Sequence, residues 1–256
     1  MATVGRTDSP ARLLASLERQ THRRFRVLLV DQNADERLAS LVRPGVERLR
    51  SEPGLSRARN AALVRVEADV VAFPDDDCTY PDDLLERVAQ RFLNEPGIDG
   101  LTGRDDSPGW ATDAVVLTRD NVWNRAISFT IFLRSAVVAR VGEFDERLGL
   151  PGSSAEEIDY LVRAVDAGAR IEYDPSIVVP HRPTRRPLSE LGARDGRSVG
   201  YILRKHRYPR RRVARMLLRP AGGALLAVLN NDRARARFHL STLRGRLLGY
   251  RHTATA

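Results

Sequence analysis

Three consecutive carboxylates, Asp75-Asp76-Asp77, close a short apolar run, Val70-Val71-Ala72-Phe73, and lead into Cys78-Thr79-Tyr80-Pro81. A buried strand that empties into three uncompensated negative charges is costly, because crowding raises their pKa values and desolvation opposes each charge. A divalent cation carrying a phosphate-bearing ligand would offset such a cluster. The plainer alternative is a solvated turn whose acids start the next helix, where the helix dipole favours them. Asp82 and Asp83, directly after Pro81, already fill that role. The triplet is surplus to it and is read as a candidate site.

A second acidic cluster, Ser153-Ser154-Ala155-Glu156-Glu157-Ile158-Asp159-Tyr160, follows the loop Gly149-Leu150-Pro151-Gly152. Glutamates in a first helical turn can simply serve the dipole. The apolar stripe Ile158, Leu161, Val162 and Val165 predicts that Glu156, Glu157 and Asp159 point away from the core. His181, between Pro180 and Arg182, suits a strand end, where a histidine is either structural or a metal neighbour. Trp110 and Trp123 could stack on a sugar or fill the core, and 105–109 reads as a turn.

These groups need a scaffold, and the first 180 residues supply alternating helix-like and strand-like segments. Helices are expected over 11–19, 55–66, 81–93 and 155–167, the last ended by Gly168. Strands are expected over 26–30, 46–49, 69–73, 98–102, 114–118, 127–133, 170–173 and 177–179. Such alternation predicts an α/β fold with a mostly parallel sheet, binding its ligand at the carboxyl ends of the strands. Asp31 and the Asp75–Asp77 triplet both sit at such ends. From residue 188 onward the pattern is helical and basic only. The expected organisation is a domain over 1–185 and a helical, arginine-rich extension over 186–256.

The chain has 256 residues, 42% of them hydrophobic, enough for a substantial core. One cysteine, Cys78, excludes an intrachain disulfide and fits a reducing compartment; it is read as a small residue packed beside the acidic turn. No apolar run reaches membrane-spanning length, and the N-terminus has no apolar signal-peptide core. The net charge of +9 hides an asymmetry: residues 181–256 hold 19 basic against 3 acidic residues, a surplus of 16. An acidic body with a basic tail predicts anionic partners for the tail. Lys205 is the only lysine, so the arginine bias itself is discounted.

Taken in order, strand-Asp31, Gly54-Leu55-Ser56-Arg57-Ala58-Arg59-Asn60, FPDDDCTYPDDLL, VGEFDERLG with GSSAEEIDYLVRA, and YDPSIVVPHR resemble the family 2 glycosyltransferases over about residues 1–185. The resemblance implies the GT-A fold and an inverting, metal-dependent transfer from a nucleotide sugar to a hydroxyl acceptor. It places a Mg²⁺ or Mn²⁺ site on Asp75 and Asp77, with Asp76 near the donor ribose and His181 as a metal neighbour. Asp31 and Arg59 match positions contacting the donor's base and ribose, and Thr3 matches the end of the first strand against the base. The family's Glu-Asp pair falls on Glu156-Glu157. Glu157 is therefore the expected base, one methylene longer than the usual aspartate, with Glu156 on the donor side.

Two departures stand out. The family usually has several more apolar residues before Met1-Ala2-Thr3-Val4-Gly5-Arg6, so the first strand is expected to be very short or to start upstream. The segment Asp31-Gln32-Asn33-Ala34-Asp35 lacks the glycine and serine usual after the second strand.

The resemblance implies a UDP-, GDP- or dTDP-sugar as donor and a glycan, lipid-linked or small-molecule acceptor, in cell-envelope or other glycan synthesis. The expected location is cytoplasmic, with the basic tail either on an anionic membrane surface at the inner face of the cell membrane or packed on the catalytic domain as a helical cap with its charges solvated. No nucleic acid partner is expected, because basic and aromatic residues do not interleave. Two alternatives stand beside this reading. One is a nucleotidyltransferase of sugar phosphates, which would want a glycine-rich, lysine-bearing loop that 5–15 lacks. The other is a non-catalytic basic protein binding sugar or nucleic acid.

Overall fold

A computed structural model describes residues 1–150, 154–182 and 188–251. The chain divides into two compact units, Met1–Glu146 with Glu157–Pro183, and Arg147–Glu156 with Thr184–Ala256. That the segment 147–156 joins the tail's unit is a division the sequence pattern did not suggest.

The first unit is α/β. A three-stranded sheet, wholly parallel, runs β1 (Ala2–Thr3), β2 (Val27–Asp31), β3 (Val46–Arg50). β1 is two residues long. A second sheet joins β4 (Val70–Ala72), β7 (Phe132–Arg134), β5 (Gly100–Arg104), β8 (Ile171–Val178) and β6 (Val115–Val116), in that order. Parallel pairing persists between β5 and β8, while β4–β7, β5–β7 and β6–β8 are antiparallel. The second sheet is thus mixed, where alternation alone predicted mostly parallel pairing.

Helices α1 (Asp8–Glu18), α2 (Leu55–Leu63), α3 (Leu84–Asn94), α4 (Ser135–Val141) and α5 (Glu156–Asp166) connect the strands. α1 forms because Leu13, Leu14 and Leu17 recur at helical spacing, and all three are buried. α3 repeats the device with Leu84, Val88 and Phe92. These side chains meet Ile98, Leu101, Phe129 and Phe132 in one core. Gly168, at φ +83°, supplies the left-handed residue that closes the turn after α5.

Two expectations change in detail. Residues 127–133, expected as one strand, form a 3₁₀ turn, Ser128–Thr130, followed by β7. The two strands expected over 170–173 and 177–179 are a single irregular one, β8, whose register against β5 shifts between Thr102 and Arg104.

The second unit carries α6 (Leu188–Lys205), α7 (Arg210–Leu229) and α8 (Arg233–Arg251). α6 and α8 approach backbone to backbone through glycines. A Cβ on Gly200 would stand 2.1 Å from the Arg246 carbonyl oxygen, and one on Gly249 would stand 1.9 Å from that of Arg197. Gly192, Gly196 and Gly245 are equally closed to a side chain. No helix among the described residues is long and apolar enough to cross a membrane.

Candidate active site

Strand β4 delivers the acidic triplet to a point where three segments meet. Ala2 pairs with Asp75 as an isolated parallel bridge, and Cys78 pairs with His181 as an antiparallel one. The Thr79 amide donates to the Pro180 carbonyl at 3.0 Å, and the Arg182 amide to that of Asp77 at 3.1 Å. The backbone itself therefore brings the end of β1 and the segment after β8 onto the triplet.

Each carboxylate has its own partners. Asp75 accepts from the Ser128 hydroxyl at 2.7 Å and from Arg59 at 3.2 Å. Asp76, buried, accepts from the Thr3 hydroxyl at 2.5 Å and from Arg6 at 2.7 Å. Asp77 lies 3.0 Å from His181 Nε2 and accepts from the same Arg6 nitrogen at 2.9 Å. Burial pushes Asp76 above its ordinary pKa, only partly countered by Thr3 and Arg6. Burial also opposes the charge on Asp77, but the hydrogen bonds from His181 and Arg6 outweigh it and leave Asp77 below the usual range. His181 moves the other way: burial lowers its pKa, and the bond to Asp77 more than compensates, so it is raised.

Cys78 is buried, with its thiol 3.1 Å from the Asp75 carbonyl oxygen, and burial pushes its pKa up. It is an inert packing residue, as the sequence suggested.

Among the described residues no group of three or more His, Cys, Asp or Glu side chains is gathered as a metal site. Asp77 and His181 share a hydrogen bond, and Asp75 stands on the same turn. One or two protein ligands, completed by phosphate oxygens and water, are the usual way Mg²⁺ is held beside a nucleotide. The donor set fits a cation completed by its substrate, not a cage built by the protein alone.

Thr3 and Asp31 are both buried and hydrogen-bonded within the protein. Thr3 is buried and committed to Asp76. Asp31 is fully buried at the end of β2, where it accepts from the Asn33 amide and side chain and from Arg48 at 2.8 Å. Burial opposes its charge, but Asn33 and Arg48 hold its pKa below the ordinary value.

Arg59, also buried, links the triplet to the second acidic cluster. Its guanidinium stacks over Phe73 and Phe144, 5.9 and 5.3 Å from their centroids, while it bonds Asp75. Phe144 stacks on Tyr160 of α5 at 4.0 Å, and Phe73 lies 6.1 Å from the same ring. Tyr160 follows Glu157 by three residues, about one helical turn. The aromatic cluster thereby packs the start of α5 against the end of β4.

Within α5 the expected outward acids divide. Glu157 is half-buried, whereas Glu156 and Asp159 are buried, which corrects the expectation that all three point away from the core. Asp159 tolerates burial because Arg163, one turn on, bonds it at 3.1 Å. Trp110 is taken up by packing: it donates to Asp105 at 2.6 Å and stacks on Tyr173.

Arg6 and Ser128 are the residues that sequence reasoning missed. Ser128 lies 53 positions from Asp75 with no motif around it. Arg6 follows Gly5, whose φ of +68° turns the chain at the end of β1 and aims the next side chain back at the triplet.

The family model described as "Glycosyl transferase family 2" matches residues 3–137, more than half of the chain. The chain belongs to glycosyltransferase family 2. It is 30% identical over 145 residues to a protein named "Pre-mycofactocin glycosyltransferase" from two strains of Mycobacterium tuberculosis. That stretch is 50% of this chain and 30% of each relative, so the chain spans less than a third of their length. Among solved structures it resembles the mannosyltransferase PcManGT from Pyrobaculum calidifontis, in complex with GDP-Man and Mn²⁺. The TM-score is 0.69 at 16% identity, covering 97% of this chain and 85% of that one. S. aureus TarS follows with a TM-score of 0.59 at 18% identity, covering 94% and 53%. These likenesses show the GT-A fold.

Proposed function

We propose that the chain is a metal-dependent, inverting glycosyltransferase that moves a hexose from a nucleotide sugar to a hydroxyl acceptor. The observation that carries this reading is the cluster Arg59–Phe73–Phe144–Tyr160, which packs the helix bearing Glu157 against the strand ending in Asp75–Asp77.

In this reading Asp75, Asp77 and His181 would hold a Mg²⁺ or Mn²⁺ that also binds the donor's diphosphate. When bound, the cation supplies positive charge against the departing nucleoside diphosphate. Asp76 faces the donor ribose, held by Thr3 and Arg6. Arg59 fixes the orientation of Asp75 and lies on the donor side, and Asp31 keeps the Asn33 turn in place beneath the base. Glu156 anchors the first turn of α5. Glu157 accepts the proton of the acceptor hydroxyl as that oxygen attacks the anomeric carbon. A single base opposite a single leaving group gives one displacement and inversion.

The donor is a UDP-, GDP- or dTDP-sugar. A cell-envelope acceptor, lipid-linked or a free glycan, and a place on the cytoplasmic face of the membrane belong to the same proposal, supported by the tail's 16 surplus positive charges. Neither the nucleotidyltransferase nor the nucleic-acid reading gains an observation from the geometry.

The test is incubation with Mn²⁺ and a panel of nucleotide sugars, measuring the nucleoside diphosphate released. Slow, metal-dependent hydrolysis of one donor is expected. No release from any donor, with tight binding of RNA or DNA instead, would reverse the reading.

A further inference from the structure

Helix α7 is built with its larger apolar side chains outward. Its buried positions are Val213, Pro220, Ala224 and Ala227. Leu218, Leu225, Leu226, Val228 and Leu229 stand in solvent, each between 61% and 72% exposed. A helix that only packed on its own unit would place the leucines inside and the alanines outside. Arg211, Arg215 and Arg219 are exposed along the preceding turns, continuous with Leu218. Helix α8 shows a related face, where Arg237, Leu240, Arg244, Leu247 and Arg251 recur every three or four residues and all are exposed. Both helices thus expose leucine together with arginine.

We propose that the exposed face of α7, with the arginine-leucine stripe of α8, docks on an anionic lipid bilayer surface. The leucines enter the boundary between headgroups and acyl chains, and the arginines bind lipid phosphates. Charge decides the occupant. A second copy seated here would bring together two segments that each hold 16 surplus positive charges. A nucleic acid would satisfy the arginines and leave the leucines in water. No described helix is apolar enough to cross the bilayer, and a 20-residue helix with one arginine-rich half suits a position in the plane of the surface. The proposal draws only its location from the glycosyltransferase reading and names the surface that achieves it.

The experiment is co-sedimentation of the full chain with vesicles of phosphatidylcholine alone and of phosphatidylcholine with phosphatidylglycerol, at low and high salt. No sugar transfer is read, so a failure here is distinct from a failure of catalysis. Binding to the anionic vesicles is expected to be at least about tenfold tighter, and to weaken with salt. Leu225→Glu with Leu229→Glu should lower it about tenfold or more, with the helical circular dichroism unchanged. Should that pair unfold the tail, Arg211→Gln with Arg215→Gln must still reduce the preference for anionic vesicles. Equal binding to both vesicle types, or full retention by either folded variant, overturns the proposal. So does a dimer in sedimentation that the leucine substitutions dissolve, which would assign the face to a second copy.

Discussion

Arg6 places one guanidinium nitrogen between two carboxylates of the triplet, 2.7 Å from Asp76 and 2.9 Å from Asp77. A cation arriving at Asp77 has to compete with it. Arg6→Ala should therefore bind Mn²⁺ more tightly by about 1 kcal/mol, the scale of a partly exposed ion pair, or about fivefold in Kd. Electron paramagnetic resonance of free Mn²⁺ measures this directly, and unchanged affinity would show that the arginine does not compete. Asp31 makes a different prediction. Its pKa is depressed in the folded state, so its stabilisation is present in full above the unfolded value of about 3.9 and fades as pH falls through the lower folded value. Asp31→Asn leaves Arg48 without its buried partner and should cost about 3 kcal/mol at neutral pH, with a shallower acid limb in denaturation. The triplet itself was legible because acids after an apolar run are conspicuous. Its partners Arg6 and Ser128 were not, since one depends on a left-handed glycine and the other on a distant 3₁₀ turn.

At the scale of elements, periodicity found most helices and strands, because each buries an apolar face that the sequence displays, but not the short α4 (Ser135–Val141). It divided β8 in two because Asp174-Pro175-Ser176 has turn chemistry, and Asp174 does accept from the Ser176 amide at 2.9 Å. The strand continues through it because β5 absorbs the irregularity as a shift in register. Asp159 was misplaced for a related reason: its charge argued for solvent, while the arginine four residues on allows burial. In the tail, the glycines of α6 and α8 are what lets the two backbones touch. Gly249→Val should destabilise the second unit by about 2 kcal/mol or more, seen as a lower Tm of the tail's helical signal. A substitution at Gly222, where a Cβ meets open space, should be neutral or mildly stabilising and serves as the control.

The whole molecule combines an acidic α/β unit with a basic helical one, and the division of charge was plain in composition before any element was placed. What composition could not show is that the leucines of α7 face outward, because a run of leucine and alanine reads the same whichever side is buried. The central claim is that the aspartates ending β4 and the glutamate opening α5 act on one donor and one acceptor, through different walls of one cleft. The most direct measurement is calorimetric titration of the nucleoside diphosphate of the active donor, with Mn²⁺, into the wild type, Asp77→Ala and Glu157→Gln, alongside transfer rates. Asp77→Ala should lose Mn²⁺-dependent binding, whereas Glu157→Gln should bind as the wild type does but transfer at least about a hundredfold more slowly. Wild-type affinity in Asp77→Ala, or wild-type transfer in Glu157→Gln, would contradict it.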